Sequence, residues 1–425
     1  MSELYAQRRK RLSTLIKAQY PEYTGIIVLF AAYEQARTRF WQDGTFWYFT
    51  GIDEPGAICT IDPDGEAILY VPDYVGDRNV WVDSSVTRDA HAAALYGFDA
   101  IKPLGEPIAG YGVSKPLPPQ SHRYILEIIQ NILAQSGKIY VCASSQPQFS
   151  PQNEGLDLWQ LWIPALVNDT VMIAPIVSRM RRIKSAHELL LLQRAVAITE
   201  YAHQRACTYI APEVSESVVH AALEGEWTAR GSRPAFPAIV GSGVRSTVLH
   251  YDRNEGVMGD GDVVVIDCGA AVEGYCADIS RTYPVSGEFS YRQREIYQWV
   301  ALVYEYSAAY VQSGWWLCNA AEPLYSLHHR AVAEFKRYGV EQFFVHGIGH
   351  FLGLDVHDVG DRNEPLQVGD VITIEPGLYL RDEGIGIRIE DDFVIGETGA
   401  TCLTTRLPYA SDAIEALMQT RDYEY

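Results

Sequence analysis

The stretch VVVIDCGAAVEGYCADISRTYPVSG (residues 263–287) sets two aspartates, Asp267 and Asp278, inside what reads as a β-hairpin. Val263 to Asp267 is a run of β-branched strand formers, Gly269 to Gly274 contains the turn, and Tyr275 to Tyr283 returns. Pairing about the centre of that turn predicts Asp267 opposite Asp278, with Cβ atoms about 5 Å apart. Like charges so placed repel, and the apolar strand residues around both argue against a chance solvated pair. A cation held between them resolves the repulsion.

Working outward, three further residues extend this acceptor surplus. His350 lies in VHGIGHFLGLDVHD (345–358), Glu375 in ITIEPGLYL (372–380) and Glu390 in GIGIRIEDD (384–392). In residues 385–390 the isoleucines share one strand face, so Arg388 and Glu390 share the other. Glu375 likewise points away from Ile372 and Ile374, and Pro376-Gly377 then breaks the strand. Four carboxylates with one imidazole form a hard donor set, suited to manganese, iron or cobalt better than a sulfur-rich zinc site, with zinc also allowed. Two ions about 3.5–4 Å apart can polarise a carbonyl and hold a water as hydroxide, so the constellation reads as a two-metal hydrolytic site.

Other histidines divide by their surroundings. His346 stands four residues before His350, but Gly347 and Gly349 between them disfavour a regular helix. His250 (in LHYDRNE) and His357 (in LDVHD) suit hydrogen bonding or proton transfer near neutral pH. His203, His220, His328 and His329 sit in helical patterns without an acidic neighbour in sequence, and read as structural. Cys268 and Cys276 read as small packing residues, and the leucine run 189–192 as core.

Composition narrows the classes. With 425 residues the chain is too long for one hydrophobic core. A net charge of −20 excludes a basic nucleic-acid or anionic-membrane surface, and bound divalent cations would neutralise part of it. The N-terminus MSELYAQRRKRL lacks a signal-peptide core, and the longest apolar run (25–32) falls short of the roughly 20 residues that span a bilayer. Seven dispersed cysteines without a CxxC pair point to reduced thiols and a cytoplasmic compartment.

The chain reads as two domains, 1–175 and 176–425. The first alternates helix and strand signals. It has a helix over 3–18, strands at 25–32 and 45–50, a hairpin of 57–61 with 66–71 about Asp62-Pro-Asp-Gly65, a helix over 124–135 and a strand at 138–142. Residues 116–119 and 144–155 read as loops, a lid or a subunit contact. The second opens with a capping box at Ser185 and Glu188 and helices over 186–210 and 215–230. Strands follow at 238–240 and 247–250, then the aspartate hairpin, helices from 290 to 314 and 322 to 337, and a strand-rich end. Two helices then strands, twice over, suggests a pseudo-two-fold α+β duplication with the metal site on the shared sheet.

These motifs together resemble the pita-bread metallopeptidases, in their aminopeptidase P and prolidase branch. The resemblance covers roughly 179–395. It is carried by RRIKSAHEL (181–189), AIVGSG (238–243), LHYDRNE (249–255), the Asp-x10-Asp hairpin, HGIGHFLGLDVHD, EPGLY and GIGIRIEDD. FWYFTGIDEPG (46–56) is similar to that branch's creatinase-like N-terminal domain. The resemblance implies a C-terminal pita-bread domain, a smaller N-terminal α/β domain, and two divalent ions, Mn2+ first, with Zn2+ or Co2+ as alternatives. Asp267 would be a terminal ligand of one ion, Asp278 and Glu390 would bridge both, and His350 and Glu375 would complete the other. Glu375 would act as general base, His357 and His250 would hold the substrate carbonyl, His346 would line the site, and Arg388 would orient carboxylates. The implied activity is Xaa-Pro aminopeptidase, with Xaa-Pro dipeptidase as the alternative and a non-catalytic binding module or creatinase-like hydrolase as lesser ones. The substrates would be proline-containing peptides, and the assembly a homodimer or homotetramer. Phe236 stands where many relatives carry a tyrosine that reaches the bridging aspartate. Arg362 is the candidate cation for a free substrate carboxylate. Trp81 corresponds to an aromatic that reaches a neighbouring subunit in some relatives.

Overall fold

In a computed structural model, described for residues 2–34, 39–76, 80–81, 86–110, 117–143 and 150–419, the chain divides into Met1–Met180 and Arg181–Tyr425. The division falls inside the helix Ala174–Arg182.

The first unit is built on a mixed six-stranded sheet. Its strands are β1 (Gly25–Phe30), β2 (Ile58–Ile61), β3 (Ala67–Val71), β4 (Ala100–Pro103), β5 (Lys138–Val141) and β6 (Thr170–Met172), in the order β4-β3-β2-β1-β5-β6. The hairpin of β2 and β3 closes where expected, because Asp62 Oδ1 accepts from the amides of Asp64 and Glu66 while Gly65 takes φ +84°. Helices Arg123–Ala134 and Pro151–Trp162 pack on the sheet, with Trp159 edge-on to Phe30 at 4.9 Å.

Two expectations fail in this unit. Residues Gly44–Thr50 form a helix where aromatic strand formers predicted a strand. Asp43 caps its start by accepting from Phe46 N, Gly51 ends it in the left-handed conformation, and burial of Phe46, Tyr48 and Phe49 outweighs β-propensity. The loop expected at 144–155 gives way at Pro151 to the helix Pro151–Trp162, which Ser150 caps; 144–149 lie outside the described residues. Of the loop at 116–119, Pro116 lies outside them, and Pro119–His122 is a short 3-10 helix.

The second unit repeats one plan. Helices Ala186–Cys207 and Glu216–Ala229 precede β7 (Arg233–Pro234), β8 (Ile239–Ser242), β9 (Val263–Cys268), β10 (Ala270–Val272), β11 (Tyr275–Cys276) and β12 (Ile279–Pro284). Helices Tyr291–Tyr310 and Leu327–Arg337 precede β13 (Val371–Ile374), β14 (Gly377–Leu380), β15 (Ile385–Arg388), β16 (Asp391–Ile395) and β17 (Ala400–Cys402). Each half carries an antiparallel three-stranded sheet, β12-β9-β8 and β13-β16-β17. The halves meet where Ser280 bridges Glu390 and where Thr282 and Arg388 exchange hydrogen bonds. This is the pita-bread arrangement. Among the described residues no helix is long and apolar enough to cross a membrane.

The hairpin register differs from expectation by two residues. Val272 pairs with Tyr275 around Glu273-Gly274, whose φ values of 51° and 85° make a two-residue turn of the kind that demands positive φ at both centres. The turn therefore centres one position later, and Asp267 faces Ser280 instead of Asp278. A two-residue slip keeps the same face, so the aspartates stay on one side, diagonally placed. The strand expected at 247–250 is absent: a 3-10 helix, Gly243–Thr247, leads into irregular backbone carrying His250.

Candidate metal centre

The seam between the halves gathers the acceptors. Asp278, His350 and Glu390, all buried, each offer a ligand atom, and these lie within 4.8 Å of one another. His350 Nε2 is 3.4 Å from Asp278 Oδ2 and 3.7 Å from Glu375 Oε1, beyond normal hydrogen-bond length. Its Nδ1 is bonded to the Phe351 carbonyl, which assigns the proton there and leaves Nε2 as the ligating nitrogen. The loop that carries it is stitched to β13: His350 N donates to Thr373 Oγ1, Thr373 N to His350 O, and Glu375 N to Ile348 O.

Arg388 organises the other wall. Its Nη2 donates to Asp267 Oδ2 at 2.7 Å, its Nε to Ser280 Oγ at 2.7 Å and its Nη1 to the Tyr379 hydroxyl at 2.9 Å, while Ser280 Oγ donates to Glu390 Oε2 at 2.8 Å. Tyr379 also bonds His346 Nε2 at 2.9 Å, and His346 Nδ1 lies 3.5 Å from Glu375 Oε2. His357 stacks edge-on against His350, ring centroids 4.3 Å apart. His250 is exposed on its loop, near enough to influence both His346 and His357 electrostatically.

Two observations test whether cations fit this donor set. Asp267 Oδ1 and Asp278 Oδ1 are buried with no hydrogen-bond partner among the described residues, an arrangement that costs free energy unless a ligand completes it. The carboxyls also resist ionisation. Burial first, then repulsion from Asp267, Asp392 and Glu375, pushes Asp278 well above the ordinary carboxylate range. Burial and the charges of Asp278, Glu375 and Asp267 do the same to Glu390. Burial raises Glu375 as well, against the opposing pull of His350 and Arg388. Divalent ions supply what the protein lacks, so the residues fit the group.

A pH dependence follows for the metal-free protein. A carboxyl whose pKa is raised by folding keeps its proton after the unfolded chain has lost its own, so stability falls as pH rises above about 4. Metal takes the place of those protons. Chelation is therefore expected to lower Tm little near pH 5 and most near pH 8; a gap between loaded and chelated protein that narrows with rising pH would contradict this assignment.

Burial and the charges of Arg388 and His328 bring the His346 pKa down to about 3, with the Gly347 carbonyl opposing. Burial and His350 bring His357 down to about 4, so both imidazoles are neutral at pH 7. Of the histidines read as structural, His203 is fully buried between the Tyr283 hydroxyl and the Ile279 carbonyl. Phe236 lies beside Gly269, its Cε1 3.2 Å from where a Cβ there would sit. Arg362 is exposed, and its charge bears on Glu375, His357 and His328. Trp81 is exposed in the first unit.

Four participants escaped the sequence reading. Ser280, Thr373, Tyr379 and Asp392, whose Oδ2 accepts from Asp278 N at 3.2 Å, are ordinary strand residues until the register is known. For Tyr379 a signal was present: it lies four residues after Glu375, across the Pro376-Gly377 break, and faces Gly386 next to Ile387 and Arg388.

Comparison with known proteins agrees with this geometry. Residues 191–397 match the metallopeptidase family M24, and residues 5–108 the aminopeptidase P N-terminal domain. The chain is 33% identical to the Xaa-Pro aminopeptidase of Escherichia coli (strain K12), over 98% of this chain and 99% of that one. Its fold superposes on a variant of Escherichia coli aminopeptidase P in complex with substrate, with TM-score 0.80, 30% identity and 99% of both chains covered. It also superposes on the same enzyme with the inhibitor Pro-Leu, with TM-score 0.79, 30% identity and 99% of both chains.

Proposed function

The chain belongs to metallopeptidase family M24, and from that premise we infer a metal-dependent Xaa-Pro aminopeptidase that hydrolyses the bond between an N-terminal residue and a penultimate proline. The observation that carries the chemistry is the convergence of Asp278, His350 and Glu390 at the seam of the halves, with Asp267 and Glu375 beside them.

Asp267, Asp278, His350, Glu375 and Glu390 would hold two divalent ions, Mn2+ before Zn2+ or Co2+, in keeping with oxygen-rich donors and one imidazole. When bound, such ions polarise a carbonyl and acidify a water. Glu375, less buried than Asp278 or Glu390, takes the proton of the attacking water and passes it to the leaving imino nitrogen. His357, as a neutral donor, and His250 hold the substrate carbonyl oxygen and stabilise the charge that develops on it. His346, held by Tyr379, sets the position of Glu375, and Arg388 keeps Asp267 and Glu390 in line.

The electrostatic influence of Arg362 on Glu375 and His357 favours a second reading, a dipeptidase whose cation takes the substrate's free carboxylate. The two separate on kcat/KM for Xaa-Pro against Xaa-Pro-Yaa-Yaa with manganese-loaded protein. The longer peptide is expected to be preferred at least about tenfold, equivalent to about 1.4 kcal/mol of transition-state binding. Cleavage of the dipeptide alone would defeat the aminopeptidase reading, and failure to retain metal would favour a non-catalytic module. A cytoplasmic location accords with seven cysteines that are all thiols, and a homodimer or homotetramer with the exposure of Val75, Val80 and Trp81.

A further inference from the structure

The sequence RRIKS (181–185) opens the catalytic unit, far in the chain from the loop that ends in His357-Asp358, yet the two meet. Arg181 Nη2 donates to Asp358 Oδ1 and to Asp355 Oδ2, each at 2.6 Å, and Lys184 Nζ donates to Asp358 Oδ2 at 3.0 Å. The side chains of Arg181, Lys184 and Asp358 are 3%, 1% and 2% exposed and so out of water, while Asp355 is 44% exposed at the edge of the cluster. Gly353 leaves room for it: a Cβ there would sit 2.0 Å from Asp358 Oδ2 and 3.0 Å from Lys184 Cε. Backbone bonds from Asp358 N to Phe351 O and from Gly353 N to Asp355 O close the loop over the cluster.

His357 is the next residue, and its ring rests on the ring of His350. Among the described residues no side-chain hydrogen bond restrains the His357 imidazole, so its aim depends on the backbone that carries it. A buried ion cluster is a poor source of net stability, because desolvating the charges offsets most of their attraction. What such a cluster does provide is a single geometry, since any shift of Asp358 would strand a buried charge.

We propose that Asp358, gripped by Arg181 and Lys184, is the positioning residue for His357, aiming its imidazole at the substrate carbonyl. The proposal rests on the role given to His357 above. Second groups that orient a working side chain typically contribute about 10–100-fold.

The experiment compares Asp358→Asn, Lys184→Met and His357→Ala, alone and combined, in the full-length manganese-loaded protein, with metal content and Tm recorded for each. Asp358→Asn and Lys184→Met are expected to lower kcat about 10–100-fold with KM within about threefold of wild type, the signature of an interaction made in the transition state. In the His357→Ala background the same changes are expected to cost no more than about threefold further, because nothing is left to aim. Lys184→Arg is expected to recover most of the loss. If Asp358→Asn does not fold, Lys184→Met carries the test, since Arg181 still holds Asp358. Losses that multiply with that of His357→Ala would mark a general structural role and overturn the positioning alone. Wild-type kcat in both Asp358→Asn and Lys184→Met would do the same. A His357→Ala enzyme of full activity would overturn both this inference and the role of His357 on which it rests.

Discussion

Asp278→Asn is expected to lower kcat/KM by at least about three orders of magnitude and to reduce bound metal from two equivalents per chain to one or fewer. The size follows from what the ions supply, several kcal/mol of charge stabilisation, where each 1.36 kcal/mol is tenfold in rate. Asp278 is the acceptor least replaceable by its neighbours. Its Oδ2 faces His350, its Oδ1 has no hydrogen-bond partner among the described residues, and its backbone amide is already committed to Asp392. The same substitution is expected to raise the Tm of the metal-free protein at pH 8. Burial and three carboxylate neighbours oppose ionisation of Asp278, and asparagine fills the space without the charge. Catalysis and metal-free stability thus move in opposite directions at one position. Metal content by emission spectroscopy with a peptide assay and a melt in chelator read all three. Two retained ions with a loss under tenfold would remove Asp278 from the centre.

Arg281→Met should produce the largest change in stability. All five N–H groups of this 1%-exposed guanidinium are used: Nε on Pro408 O, Nη1 on Ser280 O and Glu390 O, and Nη2 on Asp391 Oδ1 and Leu407 O. Methionine fills much of the volume but leaves four carbonyls short of a donor and the carboxylate of Asp391, 1% exposed, with the Tyr304 hydroxyl as its one remaining side-chain donor among the described residues. Removing one partner of a buried pair costs about 3–5 kcal/mol. For a unit of this size that is a fall of roughly 6–20 °C in Tm. Calorimetry of the metal-loaded protein checks it, and a shift under about 2 °C would show that the network relaxes. Arg281→Met/Asp391→Leu is expected to recover part of the loss, because it removes the stranded charge as well.

What the sequence made legible was local chemistry on a clear period. Strand alternation aimed Arg388 and Glu390 at one face and Glu375 away from Ile372 and Ile374, and the structure places them so. The capping box at Ser185 starts the helix it announces, and the structure adds a second one at Ser290. Where the reading failed, something non-local or stereochemical decided. The register around Glu273-Gly274 depends on which residues take positive φ, and an error of one position in the turn centre moved the partner of Asp267 from Asp278 to Ser280. Residues 45–50 have strand propensity, but a cap at Asp43, a stop at Gly51 and burial made a helix over Gly44–Thr50. Ser280 was invisible because a lone hydroxyl in a strand carries no signal until its cross-strand neighbours are known.

The seam between the halves has a consequence for how the protein comes to exist in the cell. Asp267 and Asp278 emerge from the ribosome well before Glu375 and Glu390, and Arg281 cannot satisfy its last two acceptors until Leu407 and Pro408 have also been made. Synthesis runs at about 5–20 residues per second, so for several seconds the first half displays an acidic hairpin with no second wall. The site therefore cannot charge during translation. Metal uptake would then have to wait for the second half of the catalytic unit, because Glu375 and Glu390 complete the donor set only after it is made.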